Sequence, residues 1–238
     1  MKSHTDILEY TFGRPVANLS FSMMQHYIHS AQKRGVGMMH TARSFYAYRK
    51  VFYQGRPGSV VLSQLQDKRI VDVGCGYTPY ADDSMFSAAH EAGVEFYGVD
   101  PLIRTDIRFG FRERALARAT GGSGRFRAEP PGVEKALCTT AQELPFNDQS
   151  VDEILCSYLL FVWIEDEPTL ADIFEEFRRV LKSGGLVKIF PLHEWQRNRF
   201  ENKRLNRVLQ GFDIKQRFIS GGPLSRVMPS MLTQMTRR

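Results

Sequence analysis

From Arg69 onward the chain repeats one pattern: a short β-branched run, a turn, then apolar positions three and four apart. Such alternation predicts a mostly parallel sheet covered by helices. The expected strands are RIVDV (69–73), VEFYGVD (94–100), VEKALC (133–138), VDEILC (151–156) and LVKIF (186–190), with two closing strands near 212–219 and 230–236. The segment between the fourth and fifth strands is the clearest helix. Pro168 suits a first turn, and Leu170, Ile173, Phe174, Phe177, Val180 and Leu181 form one apolar stripe. Its acids come early and Arg178, Arg179 and Lys182 late, matching the helix dipole, and Gly184 is the expected C-terminal cap. A polar, basic helix is expected over 194–209. Residues 1–68 leave this rhythm. Their aromatics, methionines and histidines (Met23, Met24, His26, Tyr27, His29, Met38, Met39, His40, Phe45, Tyr46, Tyr48) predict helices capping one end of the sheet. His26 and His29 stand three apart, but no carboxylate or third histidine lies nearby in sequence, so they read as ordinary helix residues and no metal site is expected. The fold expected is therefore α/β and Rossmann-like. It has a seven-stranded, mostly parallel sheet with helices on both faces, and residues 1–68 form a helical cap that is part of the same domain as the 69–238 core.

The 238 residues, 42% of them hydrophobic, fill one sizeable core. No apolar run reaches membrane-spanning length and MKSHTDILEY lacks a signal-peptide pattern, so a cytoplasmic protein without membrane association is expected. Cys75, Cys138 and Cys156 are odd in number and widely spaced, which argues against a disulfide framework or structural zinc and for buried, reduced thiols. Net charge is +6, unevenly spread. No Lys or Arg falls between Ala136 and Phe177, whereas arginines crowd an insertion at 101–132 and a second segment at 196–217. An anionic partner is one reading, and solvated faces balancing an acidic one is the preferred alternative, since no nucleic-acid motif accompanies the arginines. GGSG (121–124) is expected to be a flexible loop.

The chemistry concentrates in RIVDVGCGYTPYADD (69–83). A strand entering a glycine turn delivers backbone N–H groups to a ligand above the sheet, and Gly74 and Gly76 remove the side chains that would block it. Thr78 is expected as an N-cap with Pro79 in the first helical position, which places Asp82 and Asp83 in the first turn. Two carboxylates there would repel a pyrophosphate. Asp100 ends the second strand, 24 residues past Gly76, the range at which an acid takes ribose hydroxyls. The expected ligand is a nucleoside with a zwitterionic rather than phosphorylated tail.

At this point the sequence resembles the class I S-adenosylmethionine-dependent methyltransferases, in their small-molecule branch. VDVGCG (71–76) looks like their first motif and GVD (98–100) like their ribose-binding strand end. AQELPFNDQSVDEILCSYLL (141–160) and FEEFRRVLKSGGLVKIF (174–190) look like the two later motifs, in the right order and spacing. The resemblance covers about residues 69–190. It implies S-adenosyl-L-methionine as cofactor and S-adenosyl-L-homocysteine as product. It implies that Asp72, Gly74 and Gly76 surround the methionine moiety, with Cys75 between them needing only to be small. By the same resemblance Asp100 binds the ribose, Pro101 or Leu102 lines the adenine, Thr140, Ala141 and Gln142 meet the adenine edge, and Ser157 and Tyr158 begin the loop beside the sulfonium. Three positions depart from the family pattern: Thr78 for a third glycine, Thr140 for aspartate, and Ser183 for proline.

Transfer from a sulfonium is an in-line displacement, so the enzyme must chiefly align the acceptor and exclude water. A base helps only an acceptor that is protonated. His193, just past the fifth strand, is the candidate base, and Tyr158 a weaker one because tyrosine titrates near 10. Phe161, Trp163 and Trp195 are the candidates for holding a small, aromatic or anionic acceptor, and the cap segment 43–53 is expected to close over the cofactor, with Tyr46, Tyr48 or Arg49 reaching the methionine carboxylate or the acceptor. Two other functions compete: RNA methylation through the arginine-rich segments, and a non-catalytic subunit that only binds the cofactor. Acceptor identity and oligomeric state are not readable from the chain.

Overall fold

A computed structural model describes residues 14–34, 41–103, 109–119, 122–219 and 230–238. Met38, Met39, His40, Arg104 and Arg108 lie outside the described residues. The strands are β1 (Arg69–Val73), β2 (Glu95–Val99), β3 (Ala136–Leu137), β4 (Val151–Ser157), β5 (Leu181–Phe190), β6 (Phe212–Ile219) and β7 (Ser230–Arg237). They form one seven-stranded sheet in the order β3-β2-β1-β4-β5-β7-β6. The first five strands pair in parallel, whereas β7 runs antiparallel to both β5 and β6. The helices are α1 (Arg14–Lys33), α2 (Phe45–Phe52), α3 (Gly58–Leu65), α4 (Met85–Glu91), α5 (Phe111–Ala119), α6 (Glu167–Val180), α7 (Glu194–Asn198) and α8 (Lys203–Leu209).

Strand alternation divides the core. Val71 and Val73 point to the face covered by α6 and α8, where Ile173, Phe174, Phe177 and Leu205 are buried. Ile70 lies in the opposite layer with Tyr48, Val51 and Phe52 of α2, Val61 and Leu65 of α3, and Met85 and Phe86 of α4. Helix α1 stands apart from both, on a small cluster of its own in which Phe21 and Ile28 pack with Val162.

Several sequence expectations are corrected. Helix α6 ends at Val180 and β5 begins at Leu181, so Gly184, at φ +75°, lies within a strand and caps nothing. The basic helix expected over 194–209 is two short helices, because Asn202 caps a fresh start by accepting from the Arg204 and Leu205 N–H groups. The third strand is reduced to two residues after a 3₁₀ turn at Val133–Lys135. Thr78 does not cap a full helix. Thr78–Tyr80 is a single 3₁₀ turn, and α4 starts later, where the Ser84 side chain accepts from the Ser87 N–H. Asp82 and Asp83 therefore occupy no helical first turn: Asp82 pairs with Arg127 at 2.8 Å, and Asp83 accepts from the Ser123 N–H and hydroxyl, each at 3.0 Å. Those last two bonds anchor the described part of the GGSG loop. Of the three free cysteines, Cys75 and Cys156 are buried and Cys138 is exposed.

Candidate active site

The glycine loop leaves β1 at the C-terminal edge of the parallel strands, where open α/β sheets bind ligands. Gly74 takes φ +73°, and a Cβ there would stand 2.6 Å from the Leu159 side chain. Both the backbone and the neighbour from the β4 loop therefore require glycine at that position. Cys75 fills the space left by Gly98 of β2, whose added Cβ would meet the Cys75 sulfur at 2.8 Å, so its size matters and its thiol has a packing role. Asp100 organises the loop by accepting from the Gly76 N–H at 3.0 Å and the Leu102 N–H at 2.9 Å. Pro101 is exposed and Leu102 half-buried beside it. Across the β2–β3 edge, Thr140 and Gln142 are exposed while Ala141 is buried.

Asp72, expected beside the methionine moiety, lies within β1. It shares the Ile70 side of β1, at a position buried between two parallel neighbours, and is fully inaccessible. The Tyr48 hydroxyl donates to its Oδ2, while Oδ1 is buried without a hydrogen-bond partner among the described residues. Burial, with Asp100 adding to it, raises the Asp72 pKa to about 6 against the opposing pull of Arg43 and Tyr48. Arg43 comes from the extended stretch that precedes α2. Its Nη2 donates to the Ser157 carbonyl at 2.6 Å, its guanidinium lies 5.9 Å over the Tyr158 ring, and its Nη1 is buried with no hydrogen-bond partner among the described residues. Burial works against that charge, but Tyr48 and Asp72 outweigh it and hold the Arg43 pKa above its ordinary value. Arg43 and Asp72 interact electrostatically, and each keeps one polar atom without a hydrogen-bond partner among the described residues. Buried polar groups ordinarily find partners, so this pair is the candidate position for a charged ligand. The amino-acid end of S-adenosylmethionine carries one carboxylate and one ammonium, the complement of this pair.

Sequence reasoning missed Arg43. Tyr48, expected to reach either the methionine carboxylate or the acceptor, donates to Asp72. Arg49 turns to the α2–α3 corner, where its Nε donates to the Arg56 carbonyl, and Tyr46 is exposed on the outer side of α2. Phe161 packs in the core against Phe174 and Phe200 and is fully inaccessible.

At the ends of β4 and β5 the polar groups are already satisfied. His193 caps α7 and is 1% exposed, its Nε2 lies 2.9 Å from the Ser230 hydroxyl, and its N–H donates to Gln196 Oε1 at 2.9 Å. The Phe21 ring of α1 sits 5.0 Å from the imidazole and the half-exposed Trp195 ring 6.1 Å from it. Trp163 borders the small α1 cluster. Tyr158 takes φ +58°, and burial pushes its hydroxyl up to about 12, which makes it a poor base. Helix α1 is held over this edge through Glu165. One of its oxygens accepts from Gln25 at 2.7 Å and from Arg199 at 2.6 Å, and the other meets His29 Nε2 at 2.7 Å. Among the described residues no group of three or more His, Cys, Asp or Glu side chains could hold a metal ion, and no helix is long and apolar enough to cross a membrane.

With this geometry in view, residues 71–189 match the methyltransferase-domain family. The chain belongs to that family and is a class I methyltransferase that uses S-adenosyl-L-methionine. No curated protein matches it in sequence. Among solved structures, an S-adenosylmethionine-dependent methyltransferase from Methanosarcina mazei is similar at 20% identity, covering 75% of this chain and 96% of that one with a TM-score of 0.43. The N-methyltransferase NodS from Bradyrhizobium japonicum WM9 is similar at 11% identity over 75% and 93%, TM-score 0.40. The geranyl diphosphate C-methyltransferase of Streptomyces coelicolor A3(2) is similar at 14% over 90% and 98%, TM-score 0.41.

Proposed function

We propose that this enzyme methylates a small metabolite at oxygen or nitrogen, in an enclosed site between the β4 and β5 ends and α1. The observation that carries this reading is the cover over His193. A 1% exposed imidazole, bracketed by Phe21 and Trp195 beneath α1, suits an acceptor that is swallowed whole rather than a long polymer lying across the edge. The charge pairing supports it too. Arg199 pairs with Glu165, Arg204 with Asp172 and Glu175, and Arg127 with Asp82, so these arginines neutralise the protein's own acids and leave less for a phosphate backbone. Free thiols at all three cysteines support a reducing compartment, the cytoplasm.

The cofactor supplies a methyl group on a sulfonium, a leaving group that needs no protonation. The protein's residues do the rest. Arg43 and Asp72 hold the charged tail, with Tyr48 fixing the Asp72 carboxylate. The Gly74–Gly76 turn brings backbone close to the ligand, and Asp100 serves the ribose while setting the loop. Pro101, Leu102, Thr140, Ala141 and Gln142 form the adenine side, and the Ser157–Tyr158 turn flanks the transferred group. His193 accepts the acceptor's proton when that acceptor is protonated, with Ser230 orienting the ring. Tyr158, Trp163 and Trp195 provide the aromatic walls. The protein is to be incubated with methyl-labelled S-adenosylmethionine and a fractionated extract. Label in small molecules is the expected result. Label in RNA would replace this reading with polynucleotide methylation through the arginine-rich segments.

A further inference from the structure

We infer that Thr78, the residue standing where a third glycine was expected, is a positioning residue that aims Arg43 at the cofactor's carboxylate. The inference rests on the Arg43 reading above and extends it to a side chain that touches neither the cofactor nor the acceptor.

Arg43 belongs to an extended stretch that lies along the exit of the glycine loop. The Tyr77 N–H donates to the Thr41 carbonyl at 3.0 Å, the Arg43 N–H donates to the Thr78 hydroxyl oxygen at 3.2 Å, and the Phe45 N–H donates to the Asp83 carbonyl at 2.7 Å. Of these three bonds, only the middle one uses a side chain, and it falls on the residue whose guanidinium enters the site. Thr78 is completely buried and opens the 3₁₀ turn two residues after Gly76. Glycine there would keep the turn and delete the acceptor. The Arg43 N–H would lose its partner, and the backbone that carries the guanidinium would be free to shift. From its present backbone position Arg43 reaches the Ser157 carbonyl with Nη2 and leaves Nη1 open inside the site. A charged hydrogen bond weakens steeply with misalignment, so small backbone shifts at Arg43 register as lost tail affinity.

The test compares two ligands that share the adenosyl thioether: S-adenosylhomocysteine, which carries the amino-acid tail, and 5′-methylthioadenosine, which lacks it. The readout is the ratio of their dissociation constants on the same sample, which does not depend on how much of a variant folds. Arg43→Ala is expected to lower the preference for the tailed ligand by about 10- to 200-fold, the range for a hydrogen bond to a charged group. Thr78→Val, which keeps shape and burial but removes the oxygen, is expected to lower it by roughly tenfold. Thr78→Ser restores it, and Thr78→Val added to Arg43→Ala changes nothing further. If Thr78→Val weakens both ligands equally, or leaves the preference intact while Arg43→Ala abolishes it, Thr78 is merely structural and the inference falls. If Arg43→Ala itself leaves the preference unchanged, the Arg43 reading fails first.

Discussion

The two halves of the sheet edge are built on opposite principles. Around the glycine loop that follows β1, buried polar groups are left open: among the described residues, Asp72 Oδ1 and Arg43 Nη1 have no hydrogen-bond partner. At the β4 and β5 ends, the polar groups close on each other. His193 meets Ser230, Gln196 Nε2 donates to the Phe161 carbonyl at 2.9 Å, and the Thr233 hydroxyl donates to the Leu192 carbonyl at 2.9 Å. An open buried valence costs stability, about 1–3 kcal/mol for each unsatisfied group, and is kept where a ligand of fixed chemistry returns it. A closed network carries no such cost. In the proposed reading the open groups belong to the cofactor side and the closed ones to the acceptor side.

That contrast can be broken or sharpened by substitution. The largest effect is expected at His193. His193→Ala should lower turnover by about 10²- to 10⁴-fold while leaving cofactor affinity intact, as general-base loss does. A single-turnover assay with the identified acceptor reads it, and a fully active variant would leave no base at that position. Next comes Asp72. Its pKa of about 6 lies above the ordinary carboxylate value of 3.8, so its contribution to fold stability is fully present below 3.8 and is lost as pH rises through about 6. Cofactor binding has the opposite sign, because only the ionised carboxylate attracts the ammonium. S-adenosylhomocysteine affinity should therefore climb as pH rises through about 6, and Asp72→Asn should flatten the climb. Calorimetric titration between pH 5 and 8 checks it.

The smallest effect is expected at the α1 latch. Glu165 is partly exposed, and surface ion pairs contribute about 0.2–1 kcal/mol. Glu165→Gln should barely move the melting midpoint yet speed hydrogen exchange in α1 while leaving the central strands unchanged. Equal acceleration in the sheet would show that α1 and the core open together, against the separate cluster formed by Phe21, Ile28 and Val162.

The same asymmetry decided what could be read from the chain. β1, β2, β4 and α6 were legible because each writes its periodicity and punctuation within about a dozen residues. The positions of Gly74, Gly76 and Asp100 at the ends of β1 and β2 were legible because one strand–turn–helix–strand unit holds them. Arg43 was not, because its partners Ser157 and Asp72 lie in other strands and no local pattern announces a lone arginine before a helix. Asp82 and Asp83 were misplaced for a related reason. Residues that look like a capped first turn formed one 3₁₀ turn, since Asp83 bonds to Ser123 and Asp82 to Arg127, neither visible from local sequence. Gly184 followed an apolar stripe that ran on into β5, and periodicity alone does not reveal that Leu181 already belongs to a strand.

The central claim is that Arg43 and Asp72 form a receptor for a zwitterionic tail, and the most direct measurement is binding of S-adenosylhomocysteine against 5′-methylthioadenosine to the unmodified protein at pH 7.5. The account predicts a preference of at least about 100-fold for the tailed ligand, the sum of two charged contacts at about 1.5–3 kcal/mol each. Equal affinities would contradict it, because the open valences beside the glycine loop would then be serving some other group.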